Sequence, residues 1–159
     1  MSGTGAPIEG VQERELRRIP DTRGMVMHML RADAPWFEGF GEVYFSLIRR
    51  GAIKAWKRHR RMICSLAVPV GEIRVVLYDD RAESPTRNAL RTVEIGAEKY
   101  SLLRIPPGIW YGFEGVGGAD SGDSLIVNCA SLPHDPDEID RLPETAAEIP
   151  YRFGRRAAP

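Results

Sequence analysis

The feature that most constrains this chain is its succession of short segments, rich in β-branched and aromatic residues, in which side chains repeat with a period of two. Six such segments, separated by clusters of Gly, Pro or Asp, are residues 42–48, 65–70, 72–80, 91–96, 99–105 and 124–130. An earlier strand is indicated in residues 24–33. Because successive side chains of a strand point to opposite faces, this pattern is typical of strands rather than helices. The sequence therefore predicts an all-β fold, a sandwich or a barrel.

Two segments have helical character. The first, residues 8–19, has a weak helical pattern near the N-terminus. The second begins with Asp135 as N-cap, Pro136 at the first helical position and Glu138 three residues after the cap. Asp and Pro favour these positions because they complement the unpaired N–H groups of a helix start. We expect one or two short helices.

Size and charge limit the functional classes. A chain of 159 residues has the length of one domain, and we expect a single domain over residues 1–159. Lys plus Arg equals Asp plus Glu at 22 each, which argues against nucleic acid and anionic membranes as partners. We find no secretory signal and no apolar run near the ~18 residues that span a bilayer. With Cys64 and Cys129 as free thiols, we expect a cytoplasmic protein.

One segment, GAIKAWKRHRRM at residues 51–62, crowds cations and one histidine around a tryptophan. At strand period, one face carries Ala55, Lys57, His59 and Arg61, and the other carries Lys54, Trp56, Arg58 and Arg60. Lys57 and His59 pointing inward would cost several kcal/mol unless they were solvated or met a ligand, which favours a site. The alternative is a solvent-exposed edge strand whose cations discourage edge-to-edge pairing. From this segment alone both interpretations stay open.

The same segment resembles the metal-binding pattern of cupins, small β-barrels with G-x5-H-x-H-x(3,4)-E-x6-G and a later P-x-G-x2-H. The Gly and Pro positions fit, but His59 is the one imidazole among the ligand positions, where Lys57 and Tyr111 also stand. The resemblance implies a cupin-type jelly-roll β-barrel. We expect no metal and no cofactor.

A closer resemblance is to the dTDP-4-dehydrorhamnose 3,5-epimerases, metal-free cupins that act on 4-keto sugar nucleotides. Four segments carry it in order: DTRG at 21–24, GAIKAW at 51–56, GEIRVVLYDDRAESPT at 71–86 and IPPGIWYGF at 105–113. It spans about residues 21–151, which we take as the core. The resemblance implies an isomerase that epimerises a nucleoside-diphosphate 4-keto hexose in polysaccharide or deoxysugar biosynthesis. The alternative is a catalytically degenerate protein that binds a sugar nucleotide or partners an active paralogue.

The family's chemistry, as the resemblance implies it, is proton removal next to a ketone. A His oriented by an Asp removes the proton, a Lys or other donor stabilises the enolate, and a Tyr returns the proton on the opposite face. Here Lys57 stands in the His position, Lys54 in that of the Arg three residues earlier, and Tyr111 in that of a later His. Three outcomes stay open: His59 is the base, Lys57 is the base or an enolate-stabilising cation, or only binding is retained.

The candidate catalytic residues are therefore His59, Lys57 and Tyr111. The candidate substrate-binding residues are Lys54, Arg58, Arg81, Asn128, Trp110 and His28. Asn128 lies on the segment that supplies the family's catalytic Tyr, and the alternative role of Arg81 is a salt bridge that pins its turn. Tyr44 is expected in the core or at an interface. Because relatives exchange N-terminal strands between subunits, the resemblance also implies a homodimer.

Overall fold

The computed structural model describes residues 3–117 and 122–154. The strands of these residues, in chain order, are β1 (Gly3–Gly5), β2 (Gln12–Glu15), β3 (Arg18–Asp21), β4 (Gly24–Met27), β5 (Glu42–Ile48), β6 (Ile53–His59), β7 (Cys64–Val70), β8 (Glu72–Asp79), β9 (Leu90–Gly96), β10 (Ser101–Ile105), β11 (Ile109–Gly115), β12 (Ser124–Ala130) and β13 (Ile139–Arg141). A short 3₁₀ helix, Pro136–Glu138, precedes β13.

The strands form two facing antiparallel sheets and a separate hairpin. One sheet has the order β1-β9-β8-β11-β6-β13, the other has the order β2-β10-β7-β12-β5, and β3 pairs with β4. From β5 to β13 the chain repeatedly crosses from one sheet to the other, as in a jelly roll. The all-β prediction is confirmed.

The six-stranded sheet is buried on both faces. From β8, Ile73, Val75 and Leu77 point into the space between the sheets, where they pack in the main core. Val76 and Tyr78 point the other way, onto a second apolar cluster that includes the C-terminal segment. This alternation follows from the two-residue period of a strand. The covered outer face leaves the space between the sheets as the place for an internal cavity.

The helix predicted for residues 8–19 is wrong. Gln12–Glu15 forms β2, which pairs with the free edge of β10, and Arg18–Asp21 forms β3. The helical tendency of these residues is weak, and strand pairing at an open sheet edge overrides it.

The second predicted helix begins where expected, with the Asp135 side chain accepting a hydrogen bond from the backbone N–H of Asp137. It ends after one turn. Glu138 does not close the cap, because its carboxylate turns inward to His59 instead. None of the helices among the described residues has the length and apolar character needed to traverse a bilayer.

Candidate active site

A bulge in β6 sets which of its side chains reach the space between the sheets. Against β11, Tyr111 lies opposite Lys57 and Phe113 opposite Lys54, so β6 contains one residue more than its partner. The simple alternation predicted for this strand is therefore wrong at its centre: Lys54 and Lys57 both line the internal cavity. Gly112 permits the close approach, since a Cβ there would collide with the Cβ of Ala55.

Two adjoining cavities lie between the sheets, of about 320 and 370 Å³. Three polar side chains, Tyr44, Lys57 and Arg141, line both. The wall of the first cavity contains the cations Lys54, Lys57 and Arg141 and no carboxylate among the described residues. Such a surface favours an anionic ligand.

The second cavity ends at a buried histidine–carboxylate pair. His59 on β6 bonds through Nδ1 to the Oε1 atom of Glu138, and both side chains are almost fully buried. The other oxygen, Oε2, accepts hydrogen bonds from the backbone N–H groups of Arg61 (2.9 Å) and Met62 (3.2 Å). The carboxylate is thereby fixed, and it fixes the orientation of the imidazole.

The charges of this pair support each other. Burial lowers the pKa of His59, but Cys64 and Glu138 outweigh it and raise the pKa above its ordinary value. Burial raises the pKa of Glu138, but hydrogen bonds from His59 and the two backbone N–H groups lower it in sum. The Nε2 atom of His59 is buried and makes no well-aligned hydrogen bond with the described residues. This arrangement leaves a base whose outer nitrogen is available for a proton.

Tyr111 lines the first cavity beside Lys57 and contacts the buried Cys64. The Tyr111 ring stacks on His59 with centroids 6.1 Å apart, and the Nζ atom of Lys57 lies 5.2 Å from the same ring's centroid. Its hydroxyl lies 3.5 Å from the Sγ atom of Cys64. Burial raises the pKa of Tyr111 well above its usual value, so this phenol stays neutral.

The opposite wall presents a hydroxyl from the five-stranded sheet. The Asn128 side-chain N–H₂ donates to the Tyr44 hydroxyl oxygen at 2.9 Å, and its Oδ1 accepts from the backbone N–H of Ser65 at 3.1 Å. The second bond fixes the amide orientation, so Tyr44 is the acceptor and its own proton can point to the cavity. Tyr44 lies opposite Asn128 in the β5–β12 pairing.

The structure brings together five of the nine predicted site residues: His59, Lys57, Tyr111, Lys54 and Asn128. Four others line neither cavity. Arg58 bonds Asp80 and Asp140 and stacks over Trp110 on the outer side of the sheet. Trp110 is buried there with its Nε1–H on Asp80.

The remaining two predicted residues also lie elsewhere. Arg81 forms a salt bridge with Asp79 and bonds the Glu9 carbonyl, which is the alternative considered for it. His28 follows β4, and its backbone N–H bonds Arg17. These arginines and the tryptophan are satisfied by the fold itself.

Sequence reasoning missed three polar residues of the site. The sequence pattern predicts Glu138 as part of a helix cap and Tyr44 as a core or interface residue, and no motif indicates Arg141. The signal for Tyr44 is its place in a strand where it alternates with apolar residues. Glu138 and Arg141 come from a segment that pairs with β6 across a long sequence separation, which no local pattern reveals.

Comparison with known proteins places the chain among sugar epimerases. No family model matches it. A probable low-salt glycan biosynthesis epimerase of Haloferax volcanii, Agl13, is 36% identical over 141 residues, covering 86% of this chain and 88% of that protein. The crystal structure of a dTDP sugar isomerase from Desulfovibrio desulfuricans G20 is 49% identical, with a TM-score of 0.87 over 91% of this chain and 90% of that one.

A more distant structure shares the fold. The dTDP-4-dehydrorhamnose 3,5-epimerase of Bacillus anthracis is 16% identical, with a TM-score of 0.81 over 98% of this chain and 93% of that one. This similarity confirms the cupin-type barrel. The resemblance carried by the four sequence segments is confirmed by the glycan biosynthesis epimerase and the dTDP sugar isomerase. The chain belongs to the dTDP-4-dehydrorhamnose 3,5-epimerase-like family of sugar epimerases and isomerases.

Proposed function

We propose that this protein epimerises a carbon next to the ketone of a 4-keto hexose carried on a nucleoside diphosphate, in the synthesis of a glycan or deoxysugar. The observation that carries the proposal is the His59–Glu138 pair at the end of a cation-lined cavity. The dTDP sugar isomerase and the glycan biosynthesis epimerase among its relatives support this substrate class.

The three cations of the first cavity wall differ in how deeply they are buried. Lys54 and Arg141 are exposed at the cavity wall, where their charges suit the diphosphate. Lys57 is half-buried and reaches the part of the cavity nearest His59. This arrangement supports a binding mode in which the sugar, rather than the nucleotide, contacts Lys57 and the imidazole.

Epimerisation needs a proton to leave one face of the sugar carbon and return to the other. His59 removes the proton, with Glu138 fixing its tautomer. Lys57 supplies the positive charge that stabilises the negative charge developing next to the ketone carbon, with Tyr111 as the neutral floor beneath it. Tyr44 comes from the facing sheet and returns the proton. It lies opposite Asn128, which is on the segment that supplies the family's catalytic Tyr, so a neighbouring strand supplies the hydroxyl.

A binding protein without turnover is the second candidate. The observation that favours it is Lys57, which stands where the family has its catalytic His. Such a protein would hold the sugar nucleotide through the same cations.

Solvent exchange separates the two candidates. The protein is incubated with dTDP-4-keto-6-deoxyglucose in deuterated buffer containing EDTA, and label at C3 and C5 is measured by NMR. Deuterium in the sugar is the expected result, and EDTA should not change it because the proposed mechanism uses no metal. Tight binding by calorimetry without label would support the binding protein, and absence of both would contradict the proposed function.

We also propose a homodimer. On β5, an edge strand, Val43, Phe45 and Leu47 are 45, 66 and 58% exposed. These three share one strand face, and exposed apolar faces of this kind are usually covered by a partner. Light scattering is expected to give twice the chain mass, and Phe45→Glu should shift it to the monomer. A wild-type monomer at micromolar concentration contradicts this.

A further inference from the structure

Lys57 is a half-buried amine that lacks a polar partner within the described part of the chain. Its Nζ atom makes no hydrogen bond and no ion pair with the described residues, and its nearest aromatic contact is the ring of Tyr111 at 5.2 Å. Lys54, three residues earlier, is different: its Nζ atom donates to the Ser46 hydroxyl at 2.9 Å and to the Leu47 carbonyl at 2.8 Å. The two lysines that line the same cavity are therefore in different chemical situations.

The groups around Lys57 disfavour its charge. Arg141 lies directly opposite it in the β6–β13 pairing. The other titratable residues that line the two cavities are Lys54, Tyr44, Tyr111, His59, Glu42 and His134, and the thiol of Cys64 is also nearby. Burial lowers the pKa of Lys57, Arg141 and Lys54 lower it further, and Cys64 opposes them. Desolvation and adjacent cations are the two devices that turn a lysine into a nucleophile.

We propose, resting on the proposed function, that Lys57 is a catalytic nucleophile that forms an imine with the C4 ketone of the sugar. The lysine would then occupy the family's base position without serving as the base. That task stays with the His59–Glu138 pair at the neighbouring end of the cavity.

The steps balance without any further reactant. The neutral amine of Lys57 adds to C4. The carbonyl oxygen takes up one proton from that amine and one from solvent and leaves as water, which gives the iminium ion. His59 removes the proton from C3 or C5. The electron pair of the broken C–H bond forms a carbon–carbon double bond to C4, and the iminium nitrogen becomes neutral. A proton then adds to the opposite face, and water hydrolyses the iminium to release ketone and amine.

The iminium explains why the position holds an unpaired lysine. A positive nitrogen bonded to C4 acidifies the neighbouring C–H more than a cation that only contacts the carbonyl oxygen. A carboxylate partner would keep the amine protonated and stop the addition. Glu42 is the one carboxylate among the described residues that line the two cavities, and it makes no ion pair with Lys57.

The test is reductive trapping. Protein and dTDP-4-keto-6-deoxyglucose are mixed at neutral pH with cyanoborohydride, which reduces iminium ions faster than ketones, and the protein mass is measured. The chain has three lysines, Lys54, Lys57 and Lys99, so peptide mapping assigns the adduct. We expect one sugar nucleotide attached to Lys57.

Lys57→Arg is the matched variant, because it keeps a cation at the site but cannot form the imine. It should lose the adduct and at least ~100-fold in deuterium exchange while still binding dTDP. Lys99→Arg changes an exposed lysine paired with Glu94 and should keep both adduct and exchange.

The outcomes separate the two proposals. Exchange without an adduct, retained in Lys57→Arg, overturns the imine and leaves the epimerase standing. An adduct at Lys57 without exchange supports the imine and contradicts epimerisation. An adduct on Lys54 or Lys99 instead of Lys57 also overturns the imine. Absence of binding, adduct and exchange overturns both.

Discussion

Two charge-rich regions of the molecule, the turn at residues 79–86 and the cavity floor on β6, differ in how far their polar groups are satisfied. In the turn, Asp79 is fully buried. It accepts hydrogen bonds from the Arg81 Nε at 2.9 Å, the Ser84 hydroxyl at 2.6 Å and the Thr86 hydroxyl at 2.8 Å. The buried charge of Asp79 is thus compensated by side chains within a few residues of sequence.

The cavity floor lacks such internal compensation. Lys57 has no hydrogen-bond or ion-pair partner among the described residues, and the Nε2 atom of His59 makes no well-aligned hydrogen bond with them. A buried polar group without a partner costs stability. Both regions carry segments that resemble the same family, so resemblance alone does not distinguish the binding wall from the scaffold. The binding wall is distinguished by unsatisfied polar groups that face a cavity.

The largest effect is expected from replacing His59, the proposed catalytic base. His59→Ala should lower deuterium exchange by about 10³-fold or more, because general-base catalysis typically contributes ~10²–10⁴-fold. dTDP binding should change by no more than a few-fold, since the imidazole acts on the sugar carbon only. Exchange assays and calorimetry on the same variant check both. Full exchange in His59→Ala would remove this residue from the mechanism.

A smaller effect on deuterium exchange is expected when His59 is kept and its partner Glu138 is replaced. Glu138→Gln should lower the maximal exchange rate by about 10–100-fold, because the amide no longer fixes the correct tautomer. A base works unprotonated, so exchange should rise as pH rises through the pKa of His59, which lies above its ordinary 6.5.

The pH profile tests the same pair. Glu138 is one cause of the raised pKa of His59, so Glu138→Gln should move the rise in exchange to lower pH. A profile that keeps the wild-type midpoint would show that His59 is not the titrating base.

The sequence could predict the fold better than the site, for physical reasons. Strand alternation and turn residues are local, so the period of two in residues 72–80 indicated β8 directly. The bulge between β6 and β11 depends on pairing across about fifty residues, and one extra residue is enough to bring Lys54 to the cavity. The partner of His59 comes from Glu138, 79 residues away. Such contacts are set by the tertiary fold.

The satisfied turn should respond in stability rather than in catalysis. Asp79→Asn removes a buried charge that accepts several hydrogen bonds and should lower the free energy of unfolding by about 2–3 kcal/mol at neutral pH. Exchange per folded molecule should stay within about two-fold, because Asp79 lines neither cavity. Denaturant unfolding and exchange assays measure the two quantities.

Low pH should reduce the difference in unfolding free energy between wild type and Asp79→Asn. Burial alone would raise the pKa of Asp79, but hydrogen bonds from Arg81, Ser84 and Thr86 hold it well below its ordinary value. The stabilisation is therefore full above the unfolded-state pKa of about 3.9 and is lost as pH falls through the lower folded-state value. The difference in stability between wild type and Asp79→Asn should therefore narrow progressively as pH falls below about 4. A constant gap across that range would assign the effect to packing.

The smallest effect is expected on the outer side of β6, where Arg58 bonds Asp80 at 3.0 Å and Asp140 at 2.8 Å and stacks over Trp110 at 4.5 Å. Its partners are partly exposed, and Asp140 keeps a second partner in Arg60. Arg58→Ala should therefore cost about 1 kcal/mol of unfolding free energy or less.

Arg58→Ala also tests the division between the two sides of this strand. If the outer side is scaffold, the variant keeps dTDP binding and exchange within about two-fold of wild type. A loss of binding of about ten-fold or more, with the fold intact by circular dichroism, would mean that Arg58 reaches the diphosphate. The residue would then have to leave Asp80 and Asp140 when ligand binds, and a charge satisfied in the free protein would belong to the site after all.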